Sequence, residues 1–161
     1  MPDRRIGELF EGAPRFLERL ETAGPFAEDG ARFAAARTIA HSMPEEEQVE
    51  LVDAHPRLGA PPATLSAMNF REQGYDRDPA TPVAQQASVA TELERLNDAY
   101  EARFGFRYCV FVAGRPREAL LPGMAAALRQ DRDAELHRAL DAVIDIAMDR
   151  HAKLAAESNP T

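Results

Sequence analysis

Two groups suited to proton chemistry stand near the ends of residues 51–73, LVDAHPRLGAPPATLSAMNFREQ: the imidazole of His55 and the carboxylate of Glu72. A histidine with a pKa near neutrality can both give and take a proton at physiological pH. Glu72 is followed by the amide of Gln73. A carboxylate, an amide and an imidazole facing one small polar ligand would suit proton transfer on a substrate rich in N–H and C=O groups. Each group alone also has a plainer reading. His55 could simply close a helix end against a carbonyl, and Glu72 could be a solvated surface charge.

The elements that must position these groups can be read on either side. PEEEQVELVDA precedes His55, with Pro44 at a first helical position and three glutamates in the first turn, where the helix dipole favours negative charge. Gln48, Leu51, Val52 and His55 fall at i, i+3, i+4 and i+7, so His55 continues an inward face. Pro56 disfavours helical geometry at His55. The ring is therefore expected at a helix end, beside carbonyls that stabilise its protonated form. Residues 59–62, Gly-Ala-Pro-Pro, form a stiff turn. Asn69-x-x-Glu72 then resembles a capping box with Asn69 as the N-cap, and the free amides of that helix start would make an anion site.

The remaining chain reads as helices. Asp3 can cap a short helix reaching Phe10; Gly12 ends it and Pro14 opens the next. Phe33, Ala36, Ile39 and Ala40 repeat at helical spacing before Ser42. GYDRDPATP is a polar loop carrying two prolines. A long helix over about 83–103 buries Val89, Leu93, Leu96 and Tyr100, and Gly105 stops it. Residues 106–112, FRYCVFV, are the single β-prone run, and one strand without a partner cannot make a sheet. They are expected as an extended buried segment whose backbone groups can bind something polar. Pro122-Gly123 should kink or interrupt a helix over about 117–129. The last helix, over about 133–157, carries Leu136, Leu140, Val143, Ala147 and Leu154 as one stripe, with Arg150 on its margin. The expectation is a single all-α domain over residues 1–161, a compact bundle of about seven to nine helices with no sheet.

Composition removes several function classes. Acidic residues number 27 against 19 basic, a net charge of −8, and no basic stripe suits nucleic acid or an anionic membrane surface. Cys109 is the one cysteine, so no intrachain disulfide and no CxxC site exist. His41, His137 and His151 are scattered without short-spacing ligand pairs, so no metal site is expected. There is no HExxH, phosphate-binding glycine loop or GxSxG. No apolar run of about 18 residues, secretory h-region or peroxisomal tripeptide occurs, so a soluble cytoplasmic protein is the default expectation.

AHPRLG, FREQG, LERLNDAYEARFGFRYCVFVAGR and IAMDRHAKL, in that order, resemble the OHCU decarboxylase family from about Phe16 to Leu154. OHCU is 2-oxo-4-hydroxy-4-carboxy-5-ureidoimidazoline, an intermediate between urate and allantoin. The resemblance implies an all-helical, cofactor-free lyase, commonly a homodimer, that releases CO2 from OHCU to give (S)-allantoin. It places the catalytic histidine on His55, with Pro56 beside it in the pocket. The family's Glu-Gln pair falls on Glu72 and Gln73, and its late arginine on Arg150. The backbone of residues 106–110, including Phe106, Tyr108 and Val110, would line the pocket. Two positions depart from the family pattern. Asn69 stands where serine is usual, bringing its substrate contact into question, and Arg107 stands where proline is frequent. Asn69 also keeps open a second reading, a helical protein that binds a ureide-like molecule without turning it over.

Overall fold

The computed structural model describes residues 4–77 and 82–158. Among them are eight α-helices and two short 3-10 turns, with no strand. The helices are α1 (Arg4–Leu9), α2 (Pro14–Ala23), α3 (Asp29–Ser42), α4 (Glu45–Asp53), α5 (Ala67–Glu72), α6 (Val83–Phe104), α7 (Arg117–Ala127) and α8 (Arg132–Ser158). The all-helical expectation holds. Asp3, expected to cap the first helix, lies outside the described residues, as does part of the polar loop after Gln73.

The chain divides into two compact units, one from residues up to His55 with those from Leu136 onward, the other Pro56–Glu135. In the first, Gly12 turns the chain between α1 and α2 at φ +84° and Pro14 takes the first helical position of α2. Phe16 and Leu20, four apart on one face, are buried. Phe10 meets Phe16 edge-on, with centroids 4.8 Å apart. α2 packs on α3 and α4. Its exposed Arg15 and Arg19 pair with Glu50 and Glu47 on α4. Such exposed pairs add little to stability, so the buried Leu9, Phe16, Leu20, Leu51, Leu140 and Ile144 carry this unit. On α8, Leu136, Leu140, Val143 and Ala147 are buried as their spacing predicts, whereas Leu154 is only half-buried.

The second unit is built on α6. Leu93, Leu96, Tyr100 and Phe104 are buried along it, and Gly105 ends it at φ +79°, where an L side chain would be strained. Val89 lies only half-buried, and Val83 is 81% exposed. Residues 107–112 run in neither helix nor strand, as expected. Phe106, Tyr108, Cys109 and Val112 are buried. The rings of Phe106 and Tyr108 both stand edge-on to Tyr100, at 5.8 and 5.1 Å. Tyr100 donates its hydroxyl to the buried carboxylate of Glu135 at 2.8 Å. α7 runs through Pro122 without interruption. Proline removes one rung of its ladder, but Leu120, Met124 and Ala127 bury a face on both sides of it and α7 packs along α6.

Tyr100→Phe deletes a donor to a buried carboxylate while keeping the ring. It should cost about 1–3 kcal/mol, read as a lower urea midpoint with an unchanged m-value.

Candidate active site

α4 delivers His55. The helix begins at Glu45, so Pro44 is its N-cap rather than its first helical residue, and the Pro44 carbonyl accepts from the Gln48 N–H. Gln48, Leu51 and Val52 are buried on the predicted face. Gln48 Nε2 donates to the Ala40 carbonyl at 2.9 Å, fixing α4 against the end of α3. The helix stops at Asp53, and the His55 N–H bonds back to the Val52 carbonyl at 3.1 Å. Gly12 lies close against this end: a Cβ there would meet Ala54 Cβ at 3.3 Å.

His55 is half-buried as a residue, but both of its ring nitrogens are shut off from solvent. Its pKa is lowered from the ordinary histidine value to about 4. Burial is the main cause, and the guanidinium of Arg150 adds to it. The carbonyls of Leu51 and Val52 at the helix end act the other way and are outweighed. The expectation of a ring held near neutrality by helix-end carbonyls is therefore corrected, because dehydration and a nearby cation oppose protonation more strongly than the carbonyls favour it. Arg150, expected at the margin of the α8 stripe rather than on its solvent face, is buried, at 5% exposure. Its Nη1 donates to the Leu9 carbonyl at 3.1 Å, and a guanidinium keeps its charge when buried.

The second unit holds the other predicted groups. α5 is capped by Ser66, whose Oγ accepts from the Asn69 N–H at 3.2 Å. Asn69 is thus the third helical residue, not the cap, and Glu72 is the last. The capping box expected at Asn69 does not form, since Ser66 is the cap and takes the Asn69 N–H. Asn69 and Glu72 are half-buried. Pro56 is half-buried at the head of the turn after His55. Phe106 and Tyr108 spend their rings in the core, and Val110 is half-buried.

Gln73 is buried and turned toward residues 57–60. Its Oε1 accepts from the Gly59 N–H at 2.8 Å and its Nε2 donates to the Arg57 carbonyl at 2.9 Å. Tyr75 donates its hydroxyl to the Ala60 carbonyl at 2.9 Å. Arg117 donates to the Gln73 carbonyl at 2.9 Å and lies 4.0 Å over the Tyr75 ring. Asn97 donates from Nδ2 to the Leu58 carbonyl at 2.9 Å. Sequence reasoning passed over Asn97, Tyr75 and Arg117. The signal for Asn97 was a polar residue on the buried stripe of α6. A cavity of about 660 Å³ in this unit is bordered by Arg57, Gly59, Tyr75, Asn97 and Arg117 among others, and by none of the predicted site residues.

The geometry thus joins His55 to Arg150 in one unit and Gln73 to the turn after Pro56 in the other. A family model described as OHCU decarboxylase matches residues 3–152. The chain belongs to the OHCU decarboxylase family. Its fold is also that of the crystal structure of OHCU decarboxylase in the presence of (S)-allantoin, with a TM-score of 0.70 at 23% identity, covering 93% of this chain and 96% of that one. The 2-oxo-4-hydroxy-4-carboxy-5-ureidoimidazoline decarboxylase of Haloferax volcanii is 27% identical over 142 residues, 88% of this chain and 82% of that protein. The uric acid degradation bifunctional protein PucL of Bacillus subtilis is 28% identical over 156 residues, 97% of this chain but 31% of that protein. The family match spans both compact units. No described helix is long and apolar enough to cross a membrane.

The depressed pKa of His55 has a signed consequence. The unfolded imidazole binds a proton near pH 6.5 and the folded one only near pH 4, so between these values unfolding takes up a proton. The contribution is fully present above pH 6.5 and is lost as pH falls toward 4, to the extent of up to about 3 kcal/mol. His55→Gln should flatten that part of the urea stability profile relative to wild type. In Arg150→Gln, an NMR titration should find the His55 pKa moved up from about 4; an unmoved value would remove Arg150 as a cause.

Proposed function

We propose that this protein decarboxylates OHCU to (S)-allantoin in the breakdown of urate, as one catalytic domain and as a cytoplasmic homodimer. The observation that carries the reading is membership of the OHCU decarboxylase family over residues 3–152. The chemistry of the groups supports it.

OHCU carries a hydroxyl and a carboxylate on one ring carbon, beside a C=N bond to the ureido-bearing carbon. When the bond to the carboxylate breaks, CO2 leaves and the electron pair moves into that C=N, whose nitrogen takes up a proton. The hydroxyl then gives up its proton, its carbon becomes a carbonyl, and the ureido-bearing carbon is protonated on one face. One proton is consumed overall and the product hand is set in the last step. The substrate's own π-system accepts the electrons, so the reading calls for no metal or organic cofactor.

His55 is neutral at pH 7 and therefore starts as a base. It accepts the hydroxyl proton and, once protonated, returns a proton to the face it occupies. A bound carboxylate opposes the charge of Arg150 and raises the basicity of the ring when substrate is present. Arg150 pairs with that carboxylate or orients the groups around it. Glu72 holds the hydroxyl and ring N–H groups. The second N–H of Gln73, Asn69, Pro56 and the main chain at Phe106, Tyr108 and Val110 shape the site around the ureido and ring carbonyl groups.

The test is optical. OHCU is generated enzymatically from urate and the circular dichroism of the allantoin is followed. Wild-type protein should give a fast rise of one-handed signal over a racemic background. His55→Ala and Glu72→Ala should each lower kcat/KM by about 100-fold or more with far-UV dichroism retained. Near wild-type rates in either variant would sink its assigned role. A wild-type protein that binds allantoin without accelerating the reaction would favour the ureide-binding reading. The acid limb of kcat/KM should fall near pH 4, not near 6.5.

A further inference from the structure

The turn at residues 57–60 is held more densely than a connection of its length requires. The Ala60 N–H closes it onto the Arg57 carbonyl at 3.1 Å, with Gly59 at φ +81°. A Cβ on Gly59 would lie 2.8 Å from Leu93 Cδ1, so the turn sits directly on α6. The Arg57 side chain pairs with Asp98 and Glu101 on the same helix. Gln73 secures the Arg57 carbonyl and the Gly59 N–H. Asn97 secures the Leu58 carbonyl between them.

Asn97 is unusual on its own account. It is 2% exposed, and its Oδ1 is a buried acceptor with no hydrogen-bond partner. Leaving a buried acceptor unpaired is a cost that native structures tolerate where another requirement demands the residue. An apolar side chain would suit the buried stripe of α6 better. What Asn97 supplies instead is one N–H, directed at the main chain three residues after His55.

We propose that Asn97 is a positioning residue for the decarboxylation, acting through the turn that follows His55 and Pro56. The proposal rests on the function given above. Asn97 holds the middle carbonyl of a turn whose two sides are held by Gln73, the neighbour of Glu72. The two amides together register the end of α5, which carries Glu72, against the chain that leaves His55. Loosening the turn frees the end of α5, and Glu72 with it, to stray from its working geometry, and small misplacements are costly in the transition state while substrate binding tolerates them.

The experiment compares wild type with Asn97→Leu, which removes the N–H and the orphaned acceptor at similar volume, and Asn97→Asp, which offers a donor to Leu58 only when its carboxyl is protonated. Expected for Asn97→Leu are a kcat lower by about tenfold or more, a KM within about threefold, and faster amide exchange confined to peptides around residues 57–60, with the far-UV spectrum unchanged. For Asn97→Asp, the rate relative to wild type should rise as pH falls and the new carboxyl gains its proton. Wild-type kcat in both variants overturns the proposal. So does a loss of rate that only tracks faster exchange throughout the molecule. A wild-type enzyme that fails to accelerate OHCU decay takes down the function itself and this inference with it, a result distinguishable from active wild type with equally active variants.

Discussion

A guanidinium beside a water-shielded imidazole is an arrangement that a folding chain would ordinarily avoid, because each group makes charge on the other harder to hold. Here it is His55 that gives way, staying neutral well below the usual histidine range. Much of the first unit follows from accommodating that pair. α4 must end abruptly to present the ring at its last carbonyls. α8 must carry a cation inside an otherwise apolar stripe. Leu9 must lend a carbonyl to the guanidinium, since burial takes it out of solvent.

The second unit meets a different demand, that of keeping irregular backbone in one conformation without helix or sheet ladders. It uses side-chain amides and a phenol in their place. Gln73, Asn97 and Tyr75 take successive main-chain groups of residues 57–60, and Arg117 steadies Gln73 and Tyr75 in turn. Each bond is modest, but a buried carbonyl left without a donor is expensive, so the turn has few alternatives to the conformation it adopts. The extended residues after Gly105 are steadied differently, by the aromatic cluster around Tyr100 and by Arg132, which donates to the Phe104 carbonyl and lies over the Phe106 ring.

Periodicity made the helices legible because it reports burial directly. Leu93, Leu96 and Tyr100, or Leu136, Leu140 and Val143, could hardly face anything but a core. The same logic brought His55 to an inward face at the end of α4. It misjudged the ring's electrostatics, because dehydration and the proximity of Arg150 come from residues about a hundred positions apart, and no local pattern carries them. Asn69 was taken for a cap on local spelling, yet Ser66 is an equally good cap three residues earlier and the chain uses it. Gln73 was legible as a polar partner of Glu72, but not as a brace for the turn. Asn97 stood in plain view as a polar residue on an apolar stripe, and its target, a carbonyl 39 positions earlier, had no sequence signal.

The bond from Arg150 to the Leu9 carbonyl spans 141 positions and ties the first helix to the last. A chain growing from its amino end exposes Leu9 well before Arg150, which follows 141 positions later. Contacts of such separation also close late in folding, because the intervening chain must first be gathered in. The electrostatic surroundings of His55 are therefore completed only after α8 has joined α1. A nascent or partly folded chain already has the imidazole and its helix but lacks the cation that tunes it, so the chemistry matures only when α1 and α8 have met.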